Sequence, residues 1–129
     1  MATPITIRVG TLEFAGTLND SPTAKALLAL LPASVRMSRW GDEYYGSLPQ
    51  SLNIDEASDA REEMIVGELA YWPPGNALCV FFGPTPASHG PEPRAASPVN
   101  PIGTITGNVA AFKALDRSVT MNLAKAIGK

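Results

Sequence analysis

The chain is poor in the side chains that do covalent chemistry. Its 129 residues include one cysteine and one histidine. A single thiol excludes an intramolecular disulfide, and one thiol with one imidazole is too few for a structural zinc site. Charge is also sparse and balanced, with 10 Lys and Arg against 12 Asp and Glu for a net charge of −2. Nothing in that balance offers the basic stripe that nucleic acid needs, and no cluster of Lys and Arg would draw the chain to an anionic membrane. No apolar run approaches the ~20 residues that span a bilayer. The start, MATPITIRVG, lacks the charged and apolar regions of a secretory signal. These absences predict a cytoplasmic protein with no metal, no cofactor, and no nucleic-acid or membrane partner. The length fits a single domain over 1–129 with a real core.

What the chain does have is short strand-like segments separated by turns. ITIRVGTLEFAGTL alternates, with Ile5, Ile7 and Val9 on one side and Thr6 and Arg8 on the other. Gly10-Thr11 is a two-residue turn with glycine first, the type II′ pattern, and predicts a hairpin. VRMSRWGDEYYGSLP repeats the arrangement around Gly41-Asp42. That register sets Trp40 opposite Glu43 and Arg39 opposite Tyr44, and it gathers Val35, Met37, Arg39, Tyr44 and Leu48 on one face.

SPTAKALLALLP predicts a helix over 22–31. Ser21 suits the N-cap, Pro22 the first helical position, and Pro32 the stop. Ala24, Leu27, Leu28 and Leu31 form its apolar stripe. A second short helix is expected near 110–115 in AAFKAL. The acidic stretch over 53–63 reads as a solvated loop or frayed turn, and the terminal AKAIGK as a fraying tail.

GELAYWPPGNALCVFF is a hairpin that is apolar on both faces. Leu69, Tyr71, Leu78, Val80 and Phe82 fall on one side, and Ala70, Trp72, Cys79 and Phe81 on the other. Pro74-Gly75 suggests a type II turn inside a bulged or wider loop. Both faces must be covered. One cover is a barrel interior; the other is the helix, a loop or a partner. The proline-dense segment 84–101, which holds six of the 12 prolines, is the first candidate and reads as a long functional-type loop rather than a central strand.

Seven or eight short strands with one strong helix argue a mainly β fold, a barrel or a sandwich, and closure removes exposed edges. RWGDEYYGSLP, GELAYWPPGNALCVFFGPTPAS and SPVNPIGTITG, with the helix and the first hairpin, resemble a small prokaryotic family of cyclophilin-like proteins of uncharacterised function, across residues 4–123. The resemblance implies a compact closed antiparallel β-barrel of about eight strands capped by a helix. It does not imply prolyl isomerisation. The catalytic patterns of cyclophilins, an Arg in an FHRVI-type strand and a QGGD-type segment, are not found here.

Several residues are candidates for a site, each with a plainer alternative. Arg39, with Tyr44 or Tyr45, could clamp a carboxylate or carbonyl, or form a surface cation–π pair. Glu68 could anchor a pocket or end a strand in solvent. His89 could act as a base near neutrality or sit as an ordinary loop imidazole. Phe81 could line a groove, and Thr85, Ser88 and Asn100 could hydrogen-bond a ligand there. Cys79 reads as a small buried hydrophobe. No nucleotide-binding glycine loop or Ser-His-Asp set can be assembled. Three readings stay open. In order, they are a binding module for a small molecule or extended peptide beside the 67–83 hairpin and the 84–101 segment, a peptidyl-prolyl isomerase or other enzyme with a non-standard site, and a homodimeric interaction protein. A monomer or a homodimer fits equally well.

Overall fold

The computed structural model describes residues 2–126. Nine strands form in chain order: β1 (Thr3–Val9), β2 (Leu12–Leu18), β3 (Ala33–Arg39), β4 (Glu43–Ser47), β5 (Arg61–Glu63), β6 (Glu68–Trp72), β7 (Ala77–Phe81), β8 (Arg94–Ile105) and β9 (Ser118–Lys125). One α-helix, α1 (Pro22–Leu28), joins β2 to β3, and short 3₁₀ segments cover Pro73–Gly75 and Val109–Ala114. The strands run β2-β1-β9-β3-β4-β7-β6-β8, and β2 pairs back to β8. The ring is a closed antiparallel β-barrel, with β5 attached outside it to β8.

Turn chemistry explains the hairpins. Gly10 and Gly41 take positive φ, +60° and +61°, while Thr11 and Asp42 do not. A positive φ at the first central residue alone is what a type II′ turn requires. The β3–β4 register pairs Arg39 with Tyr44, and Trp40 and Glu43 exchange backbone hydrogen bonds at 2.8 and 3.2 Å. PPGN closes differently from the type II expectation. The prolines favour a 3₁₀ turn over 73–75, and Asn76, at φ 48°, is the left-handed residue instead of Gly75. Asn76 tolerates that backbone because its side chain is used: it accepts from the Tyr71 hydroxyl at 2.6 Å and donates to the Gln50 carbonyl at 2.9 Å.

α1 starts where the sequence indicates, with the Ser21 hydroxyl accepting from the Ala24 N–H at 3.1 Å. It ends earlier than the expected position 31. Leu30 and Leu31 bond three residues back, to Leu27 and Leu28, the usual tightening of a last turn. Ala24 and Leu27 are buried, and Leu28 and Leu31 pack against the core. The expected second helix is the 3₁₀ segment Val109–Ala114, whose Phe112 is fully buried and stacks on Phe14 with ring centroids 4.4 Å apart.

Two further expectations change. The segment 84–101 is a loop only in its first half, because β8 begins at Arg94 and contains Pro98 and Pro101. The missing N–H groups are tolerated by irregular pairing: the β6–β8 register shifts between Leu69 and Ala70, the latter opposite Pro101, and the β5–β8 register shifts as well. The acidic segment ends in a strand, β5, rather than staying wholly in solvent. Of the expected tail, Ala124 and Lys125 belong to β9, pairing with Thr6 and Ile5, while 127–129 lie outside the described residues.

The 67–83 hairpin divides as its alternation predicts. Leu69, Tyr71, Leu78, Val80 and Phe82 join the barrel interior. Ala70, Cys79 and Phe81 face outward, where Met64, Ala95 and Val99 pack over them with Trp72 at the side. The outer face is therefore covered from within the chain, by the turn after β5 and the first half of β8.

Candidate functional site

The outer cover is incomplete. A cavity of about 300 Å³ opens between β4, β6, β7 and β8, walled by Trp40, Tyr45 and Trp72, with Ala96 at its β8 side. Register explains the placement. Tyr45 pairs with Cys79, and Glu43 with Phe81; Cys79 in turn pairs with Ala70. These residues share the outer sheet face. The Trp72 indole N–H donates to the Ser97 hydroxyl at 2.7 Å, fixing that wall against β8.

Glu43 is the charged residue of this cavity. It is 5% exposed although it directly follows the Gly41-Asp42 turn. One carboxyl oxygen has no hydrogen-bond partner, and the Cys79 thiol is a neighbouring polar group on the same cavity lining. Burial pushes the Glu43 pKa up to about 7, with the thiol pulling weakly the other way. The same burial, aided by the neighbouring carboxyl, pushes the Cys79 thiol well up. Cys79 is thus a poor thiolate and a poor nucleophile near neutrality. Glu43 can do three things at this position: hold a proton near neutral pH, hydrogen-bond a guest, or balance a guest's positive charge.

The residues singled out from sequence are mostly placed elsewhere. Tyr45 lines the cavity, and Phe81 lies beneath it in the same apolar cluster. Arg39 is on the other face, with its guanidinium 5.1 Å from the Phe82 ring centre. It donates to the Gly41 carbonyl at 2.7 Å, the Lys113 carbonyl at 3.1 Å and Asp42 at 2.8 Å. Tyr44 is buried in the interior, its hydroxyl on the Asp116 carbonyl. Glu68 receives both arms of Arg61, at 2.9 and 2.6 Å, and the Ile65 N–H at 2.7 Å. Thr85 and Ser88 tie the loop before β8 to itself, through the Arg94 and Glu92 carbonyls. His89 is exposed, and its backbone N–H donates to Glu92 at 2.8 Å. Asn100 is buried and fully used: it donates to the Thr23 hydroxyl at 3.1 Å and the Asp55 carbonyl at 3.0 Å, and it accepts from the Ala57 N–H at 2.8 Å. Asn100 thereby braces α1, the acidic loop and β8; the residues singled out from sequence do not converge.

Sequence reasoning passed over Glu43 because an acid beside Gly-Asp looks solvated. The available signal was the outward row of β7. Once β4 pairs with β7, an outward Glu43 must share the apolar face of Cys79 and Phe81.

A larger depression of about 640 Å³ lies across β1, β3 and β9. Four of its polar side chains are paired with each other: Arg8 with Glu13 at 2.8 Å, both well exposed, and Ser34 with Asn122. Among the described residues, no group of three or more His, Cys, Asp or Glu side chains could hold a metal ion. No helix among them is long and apolar enough to cross a membrane.

The family model for cyclophilin-like proteins matches residues 3–123. The chain belongs to the cyclophilin-like family. A solved structure similar to this cyclophilin-like chain is that of the hypothetical protein AF2241 from Archaeoglobus fulgidus. The two are 29% identical, the match covers 97% of this chain and 95% of that one, and the TM-score is 0.78. None of the curated proteins compared matches the chain. Membership in the cyclophilin-like family establishes the barrel; activity has to be argued from the site.

Proposed function

We propose that this cyclophilin-like domain is a binding module for a small molecule, held in the outer cavity between the 67–83 hairpin and β8. The observation that carries the reading is the unpartnered carboxyl oxygen of Glu43, buried against that cavity. A buried polar atom without a partner is costly, and a ligand that hydrogen-bonds it recovers the cost. The aromatic walls supply contact area at low entropic cost, and about 300 Å³ is the lower end of the range for small-molecule sites. A single acid with a suppressed thiol beside it supports recognition more than turnover.

The test is an amide nitrogen–proton NMR titration with a library of small neutral and charged fragments. Shifts are expected to concentrate at residues 40–45, 72, 79 and 95–99. An Ala96→Phe variant, which fills the cavity mouth from an exposed position of β8, should abolish them while leaving the rest of the spectrum in place. Fragments that shift only the amides around β1, β3 and β9, or that bind equally to the Ala96→Phe variant, would contradict the reading.

A further inference from the structure

We infer that the outer cavity is a receptor for a small organic ammonium ion, with Glu43 as counter-charge and Trp40, Tyr45 and Trp72 as the aromatic walls around the cation. This rests on the binding-module reading and names its ligand class.

The inference follows from what the cavity contains. Among the described residues that line it, Glu43 is the charged one. Aromatic faces carry negative electrostatic potential and attract cations, and a ring of them is the common device for binding quaternary ammonium groups. Two indoles and a phenol sharing a wall with one carboxyl therefore match a cation in two ways at once. An anion is disfavoured by both elements. A neutral guest would use the carboxyl as a hydrogen-bond donor but would gain nothing from the ring potential.

The groups around Glu43 leave it without a protein counter-ion. On its own strand Tyr45 is the titratable neighbour, and from β7 it is the Cys79 thiol, kept neutral by burial. β6 brings Trp72 and, beyond Phe81, Glu68, which is occupied by Arg61. β8 brings Ala95, Ala96 and Val99 to the wall, and the guanidinium of its Arg94 is shared among Glu62, Glu63 and Glu92. At the β3–β4 turn, Asp42 is matched by Arg39 at 2.8 Å. A bound ammonium would be the missing partner. It would bind the ionised carboxyl, so binding expels a proton and becomes tighter as pH rises through the Glu43 pKa.

The chain's two tryptophans, Trp40 and Trp72, both line the cavity, so intrinsic fluorescence reports occupancy directly. The probe is choline, whose charge does not change with pH, compared with its uncharged isostere 3,3-dimethylbutan-1-ol. Choline is expected to change the fluorescence saturably and the isostere to bind at least tenfold more weakly. With Glu43 ionising near 7, the apparent choline affinity should be about tenfold higher at pH 8 than at pH 6, because only the ionised fraction is competent. Glu43→Gln should remove both the charge preference and the pH dependence, its folding checked by a cooperative denaturation curve. The wild-type pH profile reads the same point without any variant. Equal binding of the isostere, or choline affinity that falls as pH rises, would overturn the ammonium assignment. Neutral fragments shifting the cavity amides while choline does not would also overturn it and leave the binding-module reading standing. Silence from every probe would overturn both.

Discussion

The two faces of the 67–83 hairpin belong to different kinds of structure. Inward, Leu69, Tyr71, Leu78, Val80 and Phe82 enter a packed barrel in which Phe14, Tyr44, Phe82 and Phe112 form a continuous aromatic group. Polar atoms that enter it are satisfied, as with the Tyr44 hydroxyl on the Asp116 carbonyl. Outward, Ala70, Cys79 and Phe81 are covered by a few residues of β8 and the turn after β5, beside a cavity and an unpartnered carboxyl oxygen. The same two strands thus supply a close-packed side that stabilises the fold and an under-packed side on which the proposed recognition rests. Small relatives of a barrel fold can keep the first and vary the second without losing the architecture.

Breaking the inner face should have the largest effect. Phe112→Ala removes a fully buried ring in contact with three other aromatics and is expected to cost about 3–5 kcal/mol in denaturant unfolding. It should leave the outer cavity's ligand preference unchanged at temperatures where the variant is folded.

The next effect belongs to the outer face and depends on pH. Glu43 binds its proton more tightly folded, with a pKa of about 7, than unfolded, where 4.5 is the reference. Between those values the folded state holds a proton that the unfolded state has lost, so stability falls as pH rises. The favourable contribution is complete below about pH 4.5 and lost above about pH 7, a change of roughly 3 kcal/mol. Comparing urea midpoints of wild type and Glu43→Gln across that window should show the slope in the first and not in the second. Carboxylates such as Glu92, whose pKa is lowered by the His89 N–H, titrate below this window and do not produce it.

Asn100→Ala opens the junction of α1, the acidic loop and β8, where the amide makes three hydrogen bonds in a buried setting. A loss of about 2 kcal/mol is expected, with ligand binding weakened only through the displaced β8. His89→Ala, at an exposed loop position, should change stability by less than about 0.5 kcal/mol and leave any cavity ligand bound as before. A substantial loss of binding in that variant would relocate the site to the 84–94 loop.

Much of the scaffold was legible from local chemistry. Two glycine-first turns, one capped helix and the period-two alternation of the hairpin are each decided within a few residues. β8 was less legible because the rule that proline leaves ladders assumes a regular ladder, and this strand pairs across bulges at Pro101 and near Val99. The cavity was the least legible. The burial of Glu43 is set by β7, nearly forty positions away, and its cover by residues 95–99, more than fifty away. Arg39, Glu68 and Asn100 looked like polar anchors because they are polar groups in apolar contexts. The partners that use them up, Asp42, Arg61 and Thr23, are revealed only by the fold.

The account turns on the ionisation of Glu43, and the most direct measurement is its side-chain carboxyl carbon shift, followed by carbon-detected NMR from pH 4 to pH 9. A midpoint near 7 that disappears in Glu43→Gln is the predicted result. A midpoint in the ordinary range of about 4 to 4.5 would mean a solvated carboxylate, and the outer cavity would lose the feature that marks it as a site.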